Sequence, residues 1–317
     1  MKSIWKIGTR ESKLALWQAN LVKDLLELQG EKAELVLVKS EGDIDLVTPL
    51  YEMGVQGIFT KSLDTALLKE SIDIAVHSMK DVPTKLPEGI VQVAVLPRAS
   101  YKDVFVINHS IDNNACTELL GREENDFFKE IPITLATSSI RRKAQWLNRF
   151  PQHQIESIRG NVNSRLQKVY ESRWNGAIFA KAGLERIGIL PKDAIELDWM
   201  LPAPAQGAIV LVTRDDNQAL IQLLNTLNDY HTDLCTKIER DFLRTLLGGC
   251  TTPISALAEV KEELVHFSGQ LLSVDGSEKI EISSIKPISE SKNIGINAGL
   301  EILANGGTAI IQKMNLH

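Results

Sequence analysis

The stretch 72–83 constrains the fold of this chain more than any other. Ile72, Ile74, Ala75 and Val76 give it the near-continuous apolar character of a strand covered on both faces, and it runs directly into Ser78, Lys80 and Asp81. Strands of that kind belong to parallel α/β sheets, which place ligands just beyond the carboxyl ends of their strands. Pro83 stops the segment from continuing as a regular helix and so holds the polar cluster in a loop. The cluster therefore reads as a site, with a strand-end turn carrying a solvated Lys80 and Asp81 as the alternative.

The same unit recurs. Residues 4–7 form a short apolar strand, and Gly8-Thr9-Arg10-Glu11-Ser12 leads into a helix with Leu14, Trp17, Leu21, Leu25 and Leu28 predicted on one face. Hydroxyls of Thr9 and Ser12, with Arg10 and free backbone N–H groups at a helix N-terminus, can seat a carboxylate or phosphate; an ordinary Ser12 N-cap beside a solvated Arg10 explains the same residues. A strand at 35–38 again ends in polar groups, Ser40-Glu41-Gly42-Asp43. Gly54-Val55-Gln56-Gly57 predicts a mobile loop ahead of Lys61 and a helix through Leu63, Ala66 and Leu67, although a lone Gly-x-x-Gly serves tight turns equally well. Strands follow at 91–96 and 104–107 with a domain boundary near 100, and 112–130 reads as an acidic, solvated excursion.

In the second half the strand ends are rich in arginine. A strand at 133–136 opens through Thr137-Ser138-Ser139 into a helix beginning Ile140-Arg141-Arg142. A strand at 155–158 is followed by Arg159 and Arg165, and one at 177–180 by a segment ending in Arg186. One such arginine is ordinary surface decoration. Arg141, Arg142, Arg159, Arg165 and Arg186, all at or just past strand ends in a chain of net charge -6, point instead to an anionic ligand. The segment 201–208, with Pro202 and Pro204, reads as a hinge crossing back to the first domain. Beyond 217 lie two amphipathic helices, the second carrying Ile238, Phe242, Leu243 and Leu246; it ends at Gly248-Gly249, which displays Cys250 on a loop. Short strands at 254–260 and 264–274 and a helix near 297–305 complete a small α+β domain.

Composition closes off several classes. The chain has 317 residues, 44% of them hydrophobic, enough for two or three domains with cores of their own. No apolar run reaches the roughly 18 residues of a membrane helix and the first residues lack an apolar h-region, so neither a span nor a secretory signal is supported and a cytoplasmic location is expected. Cys116, Cys235 and Cys250 are odd in number and widely spaced, and the six histidines show no ligand spacing, so neither a disulfide framework nor a metal is expected. The negative net charge argues against a nucleic-acid partner.

Six motifs, Gly8-Thr9-Arg10-Glu11-Ser12-Lys13-Leu14-Ala15, Ala75-Val76-His77-Ser78-Met79-Lys80-Asp81-Val82-Pro83, Thr137-Ser138-Ser139-Ile140-Arg141-Arg142, Arg159-Gly160-Asn161-Val162, Pro204-Ala205-Gln206-Gly207-Ala208 and Leu247-Gly248-Gly249-Cys250, together resemble the hydroxymethylbilane synthase (porphobilinogen deaminase) family, in family order over nearly the whole chain. The resemblance implies an α/β fold: two cleft-forming domains of solute-binding-protein type, 1–101 with 208–227 and 102–202, plus a small α+β domain, 228–317. It implies a monomer with one dipyrromethane cofactor, built from substrate and held by a thioether at Cys250. The implied reaction joins four porphobilinogen molecules head to tail with release of ammonia, then hydrolyses off the linear hydroxymethylbilane, in porphyrin biosynthesis.

By the same resemblance Asp81 is catalytic, with Lys80 and Arg10. Ser78, Lys80, Asp81, Thr137, Ser139, Arg141, Arg142, Arg159, Arg165 and Gln206 would hold the cofactor, and Arg10, Ser12, Lys61, Arg142, Arg159, Arg165 and Arg186 the substrate. Porphobilinogen carries an acetate and a propionate, which guanidinium forks match in bidentate pairs. Loss of ammonia leaves an azafulvenium cation; the fixed Asp81 carboxylate can stabilise it and manage proton transfer, with Lys80 helping to keep that carboxylate ionised. The chain departs from the family's usual sequence at 54–57, at Ser62-Leu63-Asp64 and at 251–255, and its acidic stretch is longer, which leaves the loop-closing contacts open. Two other classes fit in part. A non-catalytic anion-binding protein would use the same strand-end Ser, Thr and Arg residues, but such proteins are normally exported and have no use for a displayed Gly-Gly-Cys. A cysteine-nucleophile hydrolase needs a His partner for Cys250, and none is evident.

Overall fold

A computed structural model describes residues 4–39, 60–111, 133–246 and 252–314. The expectations for the loop at 54–57, the acidic stretch 112–130, and for Cys116 and Cys250 fall outside these residues.

The first sheet has the order β2-β1-β3-β10-β4, with β1 Trp5–Thr9, β2 Ala33–Leu37, β3 Ile74–Ser78, β4 Ile90–Val95 and β10 Ile209–Arg214. On one face Ile7, Ile74, Val76 and Leu211 pack against Ala19, Val22 and Leu26 of helix α1 (Lys13–Leu28) and Leu220 and Leu224 of α6 (Gln218–Asn225). On the other, Ala75, Val210 and Val212 meet Leu63, Ala66 and Leu67 of α2 (Lys61–Leu68). Both faces of β3 are therefore covered, which is why its sequence lacks polar alternation. The apolar stripe of α1 differs from the predicted one. Gln18, Ala19, Val22 and Leu26 are buried, whereas Trp17 is 38% and Leu28 83% exposed. Leu21 and Leu25 of the predicted stripe pack partly buried against this core, whereas Leu14 lines the cleft and Trp17 lies under the Arg186 guanidinium.

The second sheet runs β7-β6-β8-β5-β9, with β5 Asp103–Ile107, β6 Thr134–Ala136, β7 Gln154–Glu156, β8 Gly176–Ala180 and β9 Ile195–Glu196. Helices α3 (Ile140–Arg149), α4 (Val162–Glu171) and α5 (Lys181–Arg186) follow β6, β7 and β8. Neither sheet is purely parallel, contrary to the reading of β3. In each, one strand opposes its neighbours: β5 pairs antiparallel with β8 and β9, and β10 with β3 and β4. These are the strands entered just after the chain crosses between sheets, so each arrives from the opposite end. The two crossings touch, Ala99 N–H donating to Gly207 O at 3.2 Å. Gly207 has φ +90°, and a Cβ there would lie 2.7 Å from the carbonyl oxygens of Ala99 and Ser100, so only glycine permits this approach.

The C-terminal part is an antiparallel meander, β11 (Ile254–Lys261), β12 (Leu264–Leu272) and β13 (Lys279–Pro287), covered by α7 (Tyr230–Thr245), α8 (Ile294–Ile302) and α9 (Thr308–Met314). Phe242, Val265, Phe267, Leu271 and Ile302 form its core. The sequence reading missed β13, an edge strand whose Lys279-Ile280-Glu281-Ile282-Ser283 alternates polar and apolar residues in step with its burial. The segment Ile288–Met314 is long and apolar enough to cross a membrane by composition. It is broken at Gly306, φ +105°, and lays Ile294, Ala298, Ile302 and Ile310 into this core.

Candidate active site

Residues just past β1, β3, β6, β7 and β8, together with the returning strap 203–208 and Leu243, Thr252 and Ile254, enclose a cleft of about 940 Å³ between the two sheets. Such a crevice at strand carboxyl ends is the general ligand position in open α/β sheets.

From the first sheet come Arg10, Ser12, Ser78, Lys80 and Asp81. Ser12 caps α1, its hydroxyl accepting from Ala15 N–H at 3.3 Å, as the plainer reading of that turn had it. Ser78 ends β3 and its hydroxyl accepts from Gln18 Nε2 at 2.8 Å. Lys80 and Asp81 lie in a short 3₁₀ turn, Met79–Asp81, which Val82 and Pro83 terminate. Burial pulls the Lys80 ammonium down to about 8, with Arg142 and Arg141 acting in the same sense against Asp81 and Asp103. Beside them His77 is buried with no hydrogen-bond partner on Nε2 among the described residues, and burial, reinforced by Arg10, holds it down to about 4, so it is neutral at pH 7.

From the second sheet come Ser139, Arg141, Arg142, Arg159, Arg165 and Arg186. Ser139 caps α3 through Arg142 N–H at 3.4 Å. Arg141 and Arg142 line the cleft and are both tied to one buried carboxylate. Arg141 Nη2 donates to Asp103 Oδ2 at 2.6 Å and Nη1 to Leu201 O at 2.8 Å. Arg142 donates to Asp103 Oδ1 from Nη2 at 2.8 Å and from Nε at 3.2 Å, and to Ile178 O from Nη1 at 2.9 Å. Burial pushes the Asp103 carboxyl up, but the two guanidiniums outweigh it and hold the acid well below the usual carboxylate range. Among the described residues no carboxylate is salt-bridged to Arg165: its Nε donates to Gly160 O at 2.7 Å, and burial, then Arg142 and Arg159, pull it to about 10 against the attraction of Asp81. Arg186 reaches the strap, Nη2 donating to Gly207 O at 2.7 Å, and burial holds it to about 10.

Gln206 joins the two halves. Its Nε2 donates to Asp103 Oδ1 at 2.9 Å and Tyr101 O at 2.7 Å, and its Oε1 accepts from Lys80 Nζ at 3.3 Å. Two predicted residues do not reach the cleft: Lys61 begins α2 with its side chain exposed, and Thr137 is buried with its hydroxyl accepting from Ser139 N–H at 3.2 Å. Asp103 was not foreseen. A charged residue opening the fully apolar run Val104–Ile107 is the sign that marks it, since a carboxylate buried there requires cationic partners. Among the described residues no group of His, Cys, Asp and Glu is arranged to hold a metal ion.

The family model described as porphobilinogen deaminase, dipyromethane cofactor binding domain, matches residues 5–222, and the porphobilinogen deaminase C-terminal domain matches 233–304. The porphobilinogen deaminase of Geobacter sulfurreducens is 37% identical over 98% of this chain and 94% of that protein. The chloroplastic porphobilinogen deaminase of Oryza sativa subsp. japonica is 38% identical over 98% of this chain and 87% of that protein. Among solved structures, a putative ABC-transporter binding component from Wolinella succinogenes complexed with lysine aligns at TM-score 0.38 and 13% identity, covering 71% of this chain and 88% of that one. With two family models covering the cleft-bearing and C-terminal parts in order, the chain belongs to the porphobilinogen deaminase family.

Proposed function

We propose that this cleft carries out the family's condensation of porphobilinogen to hydroxymethylbilane with Asp81 as the catalytic carboxylate and Cys250 as the attachment point of a dipyrromethane. The observation that carries the reading is the placement of Asp81 on the cleft wall next to Lys80 and within the field of Arg165, in a cavity that also gathers Arg10, Arg141, Arg142, Arg159 and Arg186. The donor set fits a pyrrole cofactor bearing acetate and propionate groups. Arg141 Nε is buried without a partner among the described residues, and Arg165 sits against Arg142 and Arg159, so anionic groups relieve both. Bound there, a dipyrromethane supplies the free pyrrole α-position from which a chain can grow.

The chain's own residues then divide the work. Arg10, Arg159, Arg165 and Arg186, with Ser78 and Ser139, hold carboxylates; Arg141 and Arg142, fixed on Asp103, contribute field at the cleft floor more than hydrogen bonds. Lys80 gives one further donor, steered by Gln206. Asp81 faces the pyrrole nitrogen of incoming porphobilinogen, opposes the positive charge that develops on it as ammonia departs, and takes up the proton that the attacking pyrrole carbon loses once the new carbon–carbon bond has formed. Two features support Cys250: α7 ends at Thr245, and Thr252, two residues beyond the cysteine, lines the cleft.

The working units are residues 1–101 with 208–227, 102–202 and 228–317, each built on one of the three sheets. In this reading the chain acts as a cytoplasmic monomer on a small-molecule substrate, without nucleic acid or membrane. Incubation of the purified chain with porphobilinogen tests the function: ammonia release, hydroxymethylbilane formation and an intact mass higher by two pyrrole units are expected. An unmodified mass in active protein overturns the covalent cofactor.

A further inference from the structure

We propose that Arg240 is a positioning residue for Asp81, a role that rests on the catalytic reading of Asp81 above. Arg240 projects from α7, in the C-terminal part, onto the turn that carries Lys80 and Asp81. Its Nη1 donates to Val82 O at 2.8 Å and to Met79 O at 3.4 Å, and its Nη2 to Pro83 O at 2.6 Å. Three carbonyls that bracket Asp81 thus converge on one planar fork. The rest of the turn is held by Met79 and Val82, buried in the core, by Lys80 Nζ donating to Gln206 Oε1 at 3.3 Å, and by Val82 N–H donating to Met79 O at 3.1 Å and Met79 N–H to Ala208 O at 3.0 Å; only Arg240 gathers the carbonyls on both sides of Asp81.

Arg240 is not diverted elsewhere. The neighbouring Asp241 is taken by Lys237 at 2.6 Å and Arg244 at 2.7 Å, and no carboxylate pairs with Arg240 among the described residues. The preceding residue, Glu239, holds the strap, accepting from Ala205 N–H at 2.6 Å and Arg98 Nη1 at 2.6 Å. One turn of α7 therefore fixes both the Asp81 turn and the strap bearing Gln206. Charge-assisted donors to carbonyls are the stronger class of hydrogen bond, and displacement of a catalytic group by about 1 Å costs up to about a hundredfold in rate.

The test uses the holoprotein with Arg240→Met, Arg240→Lys, Asp81→Asn and the Arg240→Met/Asp81→Asn double variant. Arg240→Met is expected to keep the two-pyrrole mass, lower kcat about tenfold or more with KM within about threefold, and speed amide exchange over 79–83. Arg240→Lys, which retains a donor, is expected to recover part of both losses and serves alone if the Met variant does not fold. In the Asp81→Asn background the Met substitution is expected to add no further loss of kcat, because its effect runs through Asp81. An equal loss in both backgrounds, loss of the pyrrole mass, or unchanged exchange over 79–83 overturns the proposal. Near-normal kcat in Asp81→Asn overturns the reading of Asp81 itself, and the coupling with it; unchanged exchange overturns Arg240 alone.

Discussion

Asp103 Oδ1 receives both Nη2 and Nε of Arg142, at 2.8 and 3.2 Å, while its Oδ2 receives Arg141 Nη2 at 2.6 Å. A single buried carboxylate thus fastens a pair of adjacent arginines whose side chains leave α3 in different directions. The fully buried acid is the first residue of β5, so the first crossing between the sheets delivers the counter-charge to the cleft floor. Gln206, from the second crossing, shares Oδ1. Both hinge segments and both arginines meet at this carboxylate.

Removing that charge leaves two buried guanidiniums uncompensated. Asp103→Asn is therefore expected to destabilise the chain by about 3–5 kcal/mol, read from urea unfolding. Arg142→Lys retains charge but cannot make the two-pronged contact with Asp103 together with the bond to Ile178 O, and is expected to lose stability as well as substrate binding. Stability equal to the parent in both variants would sink the role given to Asp103.

Asp81→Asn keeps size and part of the hydrogen bonding while removing the negative charge. Turnover is expected to fall on the order of a hundredfold or more, with the pyrrole mass still present. A purified Asn variant of near-normal activity excludes Asp81 as the group opposing the developing cation.

Much of this was legible in the sequence, for reasons that particular residues make plain. β3 announces itself because both its faces are buried, and Ser78, Lys80 and Asp81 follow it because chemistry collects at strand ends. Arg159, Arg165 and Arg186 could be placed at the cleft by the same rule. What each guanidinium binds was not legible, because Asp103 lies 38 residues from Arg141 in the chain and only the antiparallel pairing of β5 with β8 brings them together. Arg240 escaped notice for a related reason: its partners are backbone carbonyls, which leave no mark in sequence. The edge strand β13 was overlooked although its residues alternate as a half-exposed strand should, and the stripe of α1 was right only in part: Leu21 and Leu25 pack on the core, while Leu14 lines the cleft and Trp17 lies under Arg186.

Lys80 gives a pH dependence with a definite sign. Burial lowers it from 10.5 to about 8, so below pH 8 it is an ammonium and above it a neutral amine. The unfolded chain keeps that proton to higher pH, so between about 8 and 10.5 this group makes the fold more stable as pH rises. Binding runs the opposite way. A carboxylate favours the ammonium, so association takes up a proton above pH 8 and weakens as pH increases. KM for porphobilinogen is expected to rise from pH 7 to 9, and the slope to flatten in Lys80→Arg, whose guanidinium stays charged throughout. Parallel pH profiles for the two proteins would show that Lys80 does not meet the substrate's carboxylates.

The last prediction is that Cys250, alone among the three cysteines, carries the dipyrromethane. An attachment point must reach the cleft, expose its sulfur and form a thiolate. Cys235 meets none of these conditions: it is 5% exposed in the core of the C-terminal part, and burial, then Glu239, push its thiol up to about 12. Cys116 falls in the acidic stretch 112–130, apart in sequence from the strand-end motifs. Cys250 follows two glycines and precedes, by two residues, the cleft-lining Thr252. Cys250→Ala is expected to fold, to lack the pyrrole mass and to be inactive. It is also expected to melt at a lower temperature, because Arg165 then faces Arg142 and Arg159 without the anionic groups that relieve them. Peptide mapping decides the matter directly: an adduct on Cys116 or Cys235, or an unmodified Cys250 in fully active protein, overturns the assignment.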